Sequence, residues 1–402
     1  MGARTAAALA AAVIGVGAPA VAAAQESGPA ARLRAIVEDV RGATAVRYDA
    51  RDDRGVGLDG LDPVQAGGTL VGVHHALVDG RFQLAVATSE DLVTWRHRAV
   101  LDEDASQGTL VALPDRGFLV VYEKATWLSA LPRVQLAPQL EALQGLVDRV
   151  NLAIRHYPSL EALLAGRHGA RALLPLRVSR HAEGTPHIAR VAWGGALERS
   201  VLELGFHRFA DVTGDGFPDV DRQASGTLSG MSRWTPRIEP GLDRAFLRAG
   251  ELHQGFRRPP SGNLGDRDGV LLDGRALVVH EAQYVRGDFA TWRLFLRDPD
   301  TGTVRPLEVR THGASRALAN ASVTRVDAPG GGRATLVTAF VPREGAAPGE
   351  AGTLLWYRTD RPAAAVLRGR RPATPRVRSG GAPAPAAPAP AARRRPPGRT
   401  AG

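Results

Sequence analysis

Residues 182–188 read Ala-Glu-Gly-Thr-Pro-His-Ile. This stretch contains one carboxylate, Glu183, followed by a Gly-Thr-Pro step and the start of an apolar run. In a ring of small β-sheets, the first strand of each sheet lines a central channel. We therefore expect Glu183 to open such an inner strand and to face the channel. A channel carboxylate is a candidate acid–base catalyst. The alternative is a structural carboxylate that pairs with an arginine such as Arg267.

Four other stretches combine a small polar cluster with a following apolar strand: Asp62-Pro63, Ser106-Gln107-Gly108, Asn263-Leu264-Gly265-Asp266 and Asn320-Ala321-Ser322. Turn residues such as Asp79-Gly80 and Asp273-Gly274 separate short runs rich in Val, Leu and Thr, as expected of β-hairpins. Five such units predict an all-β protein, a five-bladed β-propeller. The alternative is a β-sandwich with long insertions. A strand at residues 45–48 would complete the last blade and close the ring.

One stretch has a helical period. Between residues 137 and 153, apolar residues recur at positions 140, 143, 146, 147 and 150, just after Pro138. This spacing predicts a short amphipathic helix inserted in the second blade. Residues 159–165 are expected to form another turn of helix.

The chain begins with a segment typical of export. Residues 1–24 contain one cation, Arg4, then an apolar run and an Ala-Ala-Ala site, which together predict a secretory signal peptide and an extracellular protein. The chain contains no cysteine, which excludes a disulfide framework and thiol chemistry. We therefore expect a signal peptide (1–24), a propeller domain (25–361) and a tail (362–402).

The basic charge of the chain is concentrated in the tail. The formal net charge is +10, and residues 362–402 contain nine Arg and no Asp or Glu. Because this Pro/Ala/Arg-rich segment has few large apolar groups, it is predicted to be disordered. Its functional interpretation is attachment to an anionic wall or polysaccharide, and the alternative is a solubilising extension. A nucleic-acid partner is not predicted.

A short motif follows the first hairpin. Residues 89–95, Ser-Glu-Asp-Leu-Val-Thr-Trp, resemble the corresponding turn of glycoside hydrolase family 43 and its five-bladed clan relatives, such as arabinanases, levansucrases and invertases. Asp91 suits an Asx-type turn, and Trp95 can pin the outer strand to the blade core. The resemblance implies a five-bladed fold in which an Asp opening blade 1 is the base and a Glu opening blade 3 is the acid. A second Asp, which opens blade 2, tunes the acid and orients the site.

Two of these three positions have counterparts in the chain. Asp62-Pro63 resembles the base, and Glu183-Gly184-Thr185-Pro186 resembles the acid. Gln107 stands where the resemblance implies the second Asp. The resemblance thus implies a secreted hydrolase that cleaves glycosidic bonds with a pair of carboxylates. The departure at Gln107 keeps open a propeller that binds a saccharide or wall polymer without cleaving it. For Asp62 the alternative is a turn residue before proline.

Several polar residues are candidates for binding the sugar, because a saccharide presents many hydrogen-bond donors and acceptors at once. The candidates near the predicted channel are His74, His75, Gln107, Asn263, Asp266, Arg267, Asp268, Glu281 and Asn320. His74 and His75 are adjacent in a predicted strand, so they must point to opposite faces. At most one of them faces the channel.

Residues 211–219 carry oxygen donors at close spacing. Asp211, Thr213, Asp215 and Asp219 surround two glycines, and the pattern resembles the calcium loops of integrin-type propeller repeats. Calcium prefers oxygen ligands, so the loop predicts a calcium site. The alternative is a polar turn whose acids pair with Arg208 and Arg222.

Motifs of several other enzyme classes do not occur in the sequence. There is no Gly-x-Ser-x-Gly elbow, no His-Glu-x-x-His and no phosphate-binding Gly-Lys-Ser/Thr loop. Serine hydrolases built on that elbow, zinc proteases and nucleotide-dependent enzymes are therefore not predicted.

Overall fold

The computed structural model describes residues 28–126, 149–216, 219–253, 256 and 259–360, apart from the side chains at positions 266 and 267. Its strands form five antiparallel four-stranded sheets. The first strand of each sheet contacts the first strands of both neighbouring sheets, so the five close a ring around one axis. The protein is an all-β five-bladed propeller, as the sequence predicts.

The strands of blades 1 to 3 are β2 (Asp59–Ala66), β3 (Thr69–Val78), β4 (Arg81–Ser89), β5 (Arg96–Glu103), β6 (Ala105–Ala112), β7 (Phe118–Thr126), β8 (Arg149–Tyr157), β9 (Ala170–Leu173), β10 (Glu183–Ala192), β11 (Val201–Ala210), β12 (Val220–Ser229) and β13 (Arg233–Ile238). Those of blades 4 and 5 are β14 (Leu264–Leu272), β15 (Arg275–Gln283), β16 (Trp292–Asp298), β17 (Thr303–Pro306), β18 (Ala319–Asp327), β19 (Arg333–Val341), β20 (Gly352–Thr359) and β1 (Ala45–Arg47). The described α-helices are α1 (Pro29–Glu38), α2 (Leu160–Leu164) and α3 (Pro240–Gly250). Short 3₁₀ turns cover Val40–Gly42, Leu197–Arg199, Phe289–Thr291 and Arg343–Gly345.

The ring is closed by strands from opposite ends of the domain. Strand β1 pairs with β20, with Ala45 opposite Tyr357 and Arg47 opposite Leu355. The predicted closure by residues 45–48 is confirmed. Because β1 covers the edge of β20, blade 5 has the same four strands as the other blades.

The predicted hairpin turns are confirmed by their backbone angles. Asp79 and Gly80 have φ of 50° and 77°, and Asp273 and Gly274 have the same two values. Positive φ at both central residues defines the turn whose twist matches that of antiparallel strands. These two short sequences therefore fix the register of β3 with β4 and of β14 with β15.

The 89–95 motif has the physical role expected of it. One oxygen of Asp91, Oδ1, accepts hydrogen bonds from the backbone N–H groups of Val93 at 3.0 Å and Thr94 at 2.7 Å. Trp95 is fully buried in a cluster that includes Leu61 and Leu70. The turn thus anchors the start of β5 to the core between blades 5 and 1.

The prediction of a helix over residues 137–153 is wrong for residues 149–153. Residues 149–153 begin β8, which pairs with β7, and residues 137–148 lie outside the described residues. Pairing along the blade overrides the helical spacing here. The helical turn predicted at 159–165 is confirmed as α2, whose first turn is capped by the Ser159 hydroxyl. Blade 2 thus contains one described helical turn, α2, between β8 and β9.

Sequence analysis missed α1 and α3. Each begins with a proline in its first turn, which is a common start signal, and α1 buries Leu33, Ile36 and Val37 against blades 4 and 5. Within the described part of the chain, no helix has both the length and the apolar composition needed to span a membrane.

Candidate axial site

Every inner strand begins with a β-bulge. At each bulge, the inner strand has one residue more than the second strand of the same blade between two consecutive residue pairs. In four blades a residue of the bulge has positive φ, namely Gly60, Gln107, Thr185 and Asn320, at 43° to 59°. This left-handed turn changes the direction of the strand just before it runs along the axis.

Residues next to the bulges meet at the axis. Two positions after the left-handed residue lie Asp62, Thr109, His187 and Ser322 in blades 1, 2, 3 and 5. In blade 4 the residue that contacts them is Asp268. We call these five residues the axial cluster. It contains two carboxylates, two hydroxyls and one imidazole.

One hydroxyl joins the two carboxylates. The Ser322 Oγ atom lies 3.1 Å from Asp62 Oδ1 and 2.8 Å from Asp268 Oδ2. Backbone N–H groups of the next blade add one bond to each acid, from Leu110 to Asp62 at 2.8 Å and from Val323 to Asp268 at 2.7 Å. The same type of contact is therefore made across the blade 1–2 and blade 4–5 junctions.

The surroundings of Asp62 favour its protonated form. Burial and the neighbouring charge of Asp268 raise the pKa of Asp62 to about 8. His187 stands on the other side of Asp268, with Nδ1 3.5 Å from Asp268 Oδ1. A proton on Asp62 fits these contacts.

Above the axial cluster, side chains of one blade bind the bulges of the next. The His75 Nδ1 atom accepts from the Gln107 N–H at 3.3 Å, and Glu123 Oε1 accepts from the Thr185 N–H at 2.6 Å. Glu281 accepts from the Asn320 N–H in the same way. Burial lowers the pKa of His75 to about 3, so its ring is neutral and can accept. We call these three contacts the bulge latches.

The predicted acid Glu183 opens β10 as expected, but its carboxylate is bound elsewhere. Its Oε1 atom accepts hydrogen bonds from the backbone N–H groups of Arg177 at 2.6 Å, Val178 at 2.7 Å and Ser179 at 3.3 Å. The residue is only 1% exposed. These contacts hold the connection that leads into blade 3. The catalytic role of Glu183 stays a prediction, and its hydrogen bonds give the side chain a structural role.

Three cavities lie along the inner strands near the bulges. The largest measures about 640 Å³, lies between blades 3 and 4, and is lined by His187 and Gly269 among others. The other two adjoin Gln107. The axial cavity, lined by Asp62, Thr109, Asp268 and Ser322 among others, has a volume of about 20 Å³, which is room for one water molecule. The mouth cavity lies between blades 1 and 2 and measures about 180 Å³.

The structure separates the predicted sugar-binding residues. Asp62, Gln107, Asp268 and Asn320 line the axial cavity, and His75 lines the mouth cavity. Glu281 belongs to a bulge latch, and Asn263 Oδ1 accepts from the Asp221 N–H at 3.0 Å. The side chains of Asp266 and Arg267 lie outside the described part.

His74 is the exception among these candidates. It points to the opposite face of β3 from His75, toward Asp52 and His97, because successive residues of a strand alternate between faces. His74 is therefore not part of the axial site.

The acids of the predicted calcium loop have protein partners. Asp219 Oδ2 accepts from the N–H groups of Val212 and Thr213, and its Oδ1 atom lies 3.0 Å from Arg286 Nη1. Asp211 accepts from the N–H groups of Gly214 and Gly216. The arginine that pairs with Asp219 is thus Arg286, rather than the Arg208 or Arg222 considered from the sequence. Calcium binding by Asp211, Thr213, Asp215 and Asp219 stays a prediction.

Solved structures of glycoside hydrolases are similar to this chain. A thermostable family 43 glycoside hydrolase matches with a TM-score of 0.45 and 10% identity, over 79% of this chain and 96% of its own. A family 62 hydrolase in complex with xylotriose matches with a TM-score of 0.45 and 11% identity, over 80% and 97%. The catalytic domain of a family 62 α-L-arabinofuranosidase from Coprinopsis cinerea matches with a TM-score of 0.42 and 14% identity, over 77% and 94%.

No family model matches the chain, and no curated protein matches it. The predicted resemblance to the five-bladed glycoside hydrolases is present in the fold. The five four-stranded sheets establish that fold by themselves.

Sequence analysis missed three members of the axial cluster: Thr109, His187 and Ser322. Each lies two residues after the left-handed residue of its bulge, a position that the backbone sets and that no residue type in the sequence marks. In blade 2 this register places Thr109, and not Gln107, at the position equivalent to Asp62. The expected replacement of the second Asp by Gln107 was therefore assigned two residues too early.

Proposed function

We propose that this protein is a glycoside-hydrolase-like propeller that binds a saccharide at the mouth cavity and does not cleave it with Glu183 and Asp62. The observation that carries the proposal is the difference in volume between the axial cavity and the mouth cavity. The axial cavity has room for one water molecule, whereas the mouth cavity is about nine times larger. A sugar ring therefore fits at the mouth and not between the axial carboxylates.

The spacing of the axial acids supports the same conclusion. Asp62 and Asp268 each lie within 3.1 Å of the Ser322 hydroxyl. Their nearest oxygens are thus closer than the roughly 6.5 to 9.5 Å that an inverting pair keeps to admit water and a glycosidic bond. The Glu183 carboxylate is bound to the loop before β10, which supports a structural role for it rather than a catalytic one.

The lining of the mouth cavity suits a saccharide. It includes the imidazole of His75, the guanidinium of Arg81, the ring of Phe82, the amide of Gln107 and the carboxylate of Glu123. Sugars combine hydroxyl groups on their edges with an apolar face. Polar side chains around one aromatic ring therefore offer partners for both.

Export and the tail fit this proposal. A signal peptide at residues 1–24 would place the propeller outside the cell, where wall polymers are accessible. The arginines of residues 362–402 would add attraction to acidic polymers that weakens as salt increases.

The test is retention on immobilised arabinan, xylan, galactan and cell-wall polysaccharide, followed by calorimetry with the best oligosaccharide. We expect Phe82→Ala to weaken binding at least about tenfold, since it removes the apolar face of the site. Phe289→Ala is the matched control because Phe289 is 52% exposed in the connection between β15 and β16. A protein that retains none of these glycans, or a Phe82→Ala variant that binds like wild type, would refute the proposal.

A further inference from the structure

A second polar cluster lies in blade 1, outside the axial cluster. It consists of Asp52, which precedes β2, His74 on β3 and His97 on β5. Strand β4 separates the two histidines, with Ala85 opposite His74 and Ala87 opposite His97. Directly opposite residues in antiparallel strands share a face, and these two alanines are small. The imidazoles can therefore meet above β4.

His74, the central residue of this cluster, lacks hydrogen-bond partners for its ring nitrogens within the described part of the chain. The His74 side chain is 0% exposed, and neither of its ring nitrogens has a hydrogen-bond partner among the described residues. The Nδ1 atom of His97 is also buried without a partner. Buried polar atoms normally have partners, and an unpaired one costs on the order of 1–3 kcal/mol. One nitrogen of each ring lies within 4.8 Å of a carboxylate oxygen of Asp52, and the unpaired nitrogens beside it point to a missing ligand.

The carboxylate is held in place for a ligand. Asp52 Oδ1 accepts from the N–H groups of Arg54 and Val56, both at 2.9 Å. Its Oδ2 atom accepts from the Arg54 guanidinium and lies 3.9 Å from His97 Nδ1. Contacts of this kind orient the carboxylate of a metal site. Arg54 also supplies a positive charge beside Asp52.

We propose that Asp52, His74 and His97 form a binding site for a divalent transition metal of the zinc type. Their donor atoms all lie within 4.8 Å of one another. Imidazole nitrogen is a preferred ligand of zinc and its neighbours but not of calcium or magnesium. Zinc–nitrogen bonds of about 2.0–2.1 Å require the donors to move closer together when the metal binds.

The position of the site indicates what the metal does. Asp52 lies on the connection that leads from β1, the outermost strand of blade 5, to β2, the innermost strand of blade 1, and it forms a bridge with Trp95 beside β5. A metal at this point would fasten that connection to the middle and outer strands of blade 1. It would therefore stabilise the junction at which the ring closes.

The test uses the full chain without a histidine tag, stripped of metal by a chelator and dialysed. We expect one zinc ion to bind per chain by calorimetry, a rise in melting temperature on zinc addition, and a visible absorption band when cobalt is bound instead. His74→Gln and His97→Gln should each weaken zinc binding by at least about tenfold. His312→Gln, at an exposed histidine elsewhere, should bind like wild type.

If His74→Gln does not fold, His97→Gln tests the site alone. The His97 side chain is 16% exposed, so its substitution should disturb the fold less than substitution of the fully buried His74. A folded wild-type protein that binds no zinc, nickel or cobalt would overturn the proposal. So would His97→Gln binding zinc as tightly as wild type, since the metal would then be held by other residues.

Discussion

Asp62 and Asp268 share one hydroxyl, that of Ser322, at 3.1 and 2.8 Å. A hydroxyl has a single proton, so it can donate to only one of them and must accept from the other. Each carboxylate also accepts one backbone N–H, Asp62 from Leu110 and Asp268 from Val323. Burial and the charge of Asp268 raise the pKa of Asp62 to about 8, so Asp62 is the partner that keeps a proton.

The first prediction concerns stability and pH. An Asp with a pKa raised in the folded state keeps its proton on folding but loses it in the unfolded chain. Its stabilising contribution is thus complete below about pH 4 and is lost as the pH rises toward 8. We expect wild type to lose at least about 1 kcal/mol more unfolding free energy between pH 5 and pH 8 than Asp62→Asn, which resembles the protonated acid.

Urea denaturation at both pH values measures this difference. The variant keeps an oxygen acceptor for the Leu110 N–H and an amide for Ser322. Equal pH dependence in the two proteins would show that Asp62 is ionised in the folded state.

The second prediction concerns Glu183. Its buried carboxylate accepts three backbone N–H groups of the loop before β10, so Glu183→Gln should reduce the unfolding free energy by about 1–3 kcal/mol and leave saccharide binding unchanged. Glu161→Gln on α2 is the control, because the Glu161 side chain is 86% exposed. Unchanged stability combined with loss of glycosidic-bond hydrolysis in Glu183→Gln would instead identify Glu183 as the acid.

The third prediction concerns the bulge latches. Glu123 accepts the Thr185 N–H at 2.6 Å, the Thr185 hydroxyl at 2.9 Å and the Ser106 hydroxyl at 2.9 Å. Glu123→Ala leaves a buried N–H group unpaired at the blade 2–3 junction, and we expect it to destabilise the fold by about 2–3 kcal/mol. Glu103→Ala, at a side chain 60% exposed, should change stability by less than about 0.5 kcal/mol in the same denaturation experiment. Similar effects in both variants would contradict the structural role of Glu123.

The fourth prediction concerns ring closure. Removing residues 1–48 deletes β1 and α1, which exposes the edge of β20 and the apolar surface covered by Leu33 and Val37. Exposed strand edges pair with other chains, so this variant should elute as oligomers in size-exclusion chromatography. A variant without residues 363–402 keeps every described strand and should elute like the full chain. A monomeric, stable protein without β1 would show that closure is dispensable.

Much of the fold could be predicted because its signals are local. Polar openings such as Asp62-Pro63 and Asn320-Ala321-Ser322 mark inner strands, and Asp-Gly pairs fix hairpins through their own backbone angles. Helix α1 also has a local signal in the sequence, a proline in its first turn followed by apolar residues at helical spacing. Residues 149–153 suit both a helix and a strand, and only pairing with β7 decides between them.

The site was less predictable because it depends on where side chains point after a bulge. The bulge in blade 2 places Thr109, rather than Gln107, at the position equivalent to Asp62. The loop before β10 donates backbone hydrogen bonds to the carboxylate of Glu183. Neither outcome can be read from the spacing of polar residues along one strand.

The sequence by itself therefore determined that five small sheets form a ring and that Asp62 lies near its axis, since each of these features is specified within a few neighbouring residues. Only the tertiary structure decided that Asp62 meets Asp268 and Ser322, and that His74 meets Asp52 and His97. These residues come from different strands or different blades, and their distances are set by the register of strands that pair far apart in the chain.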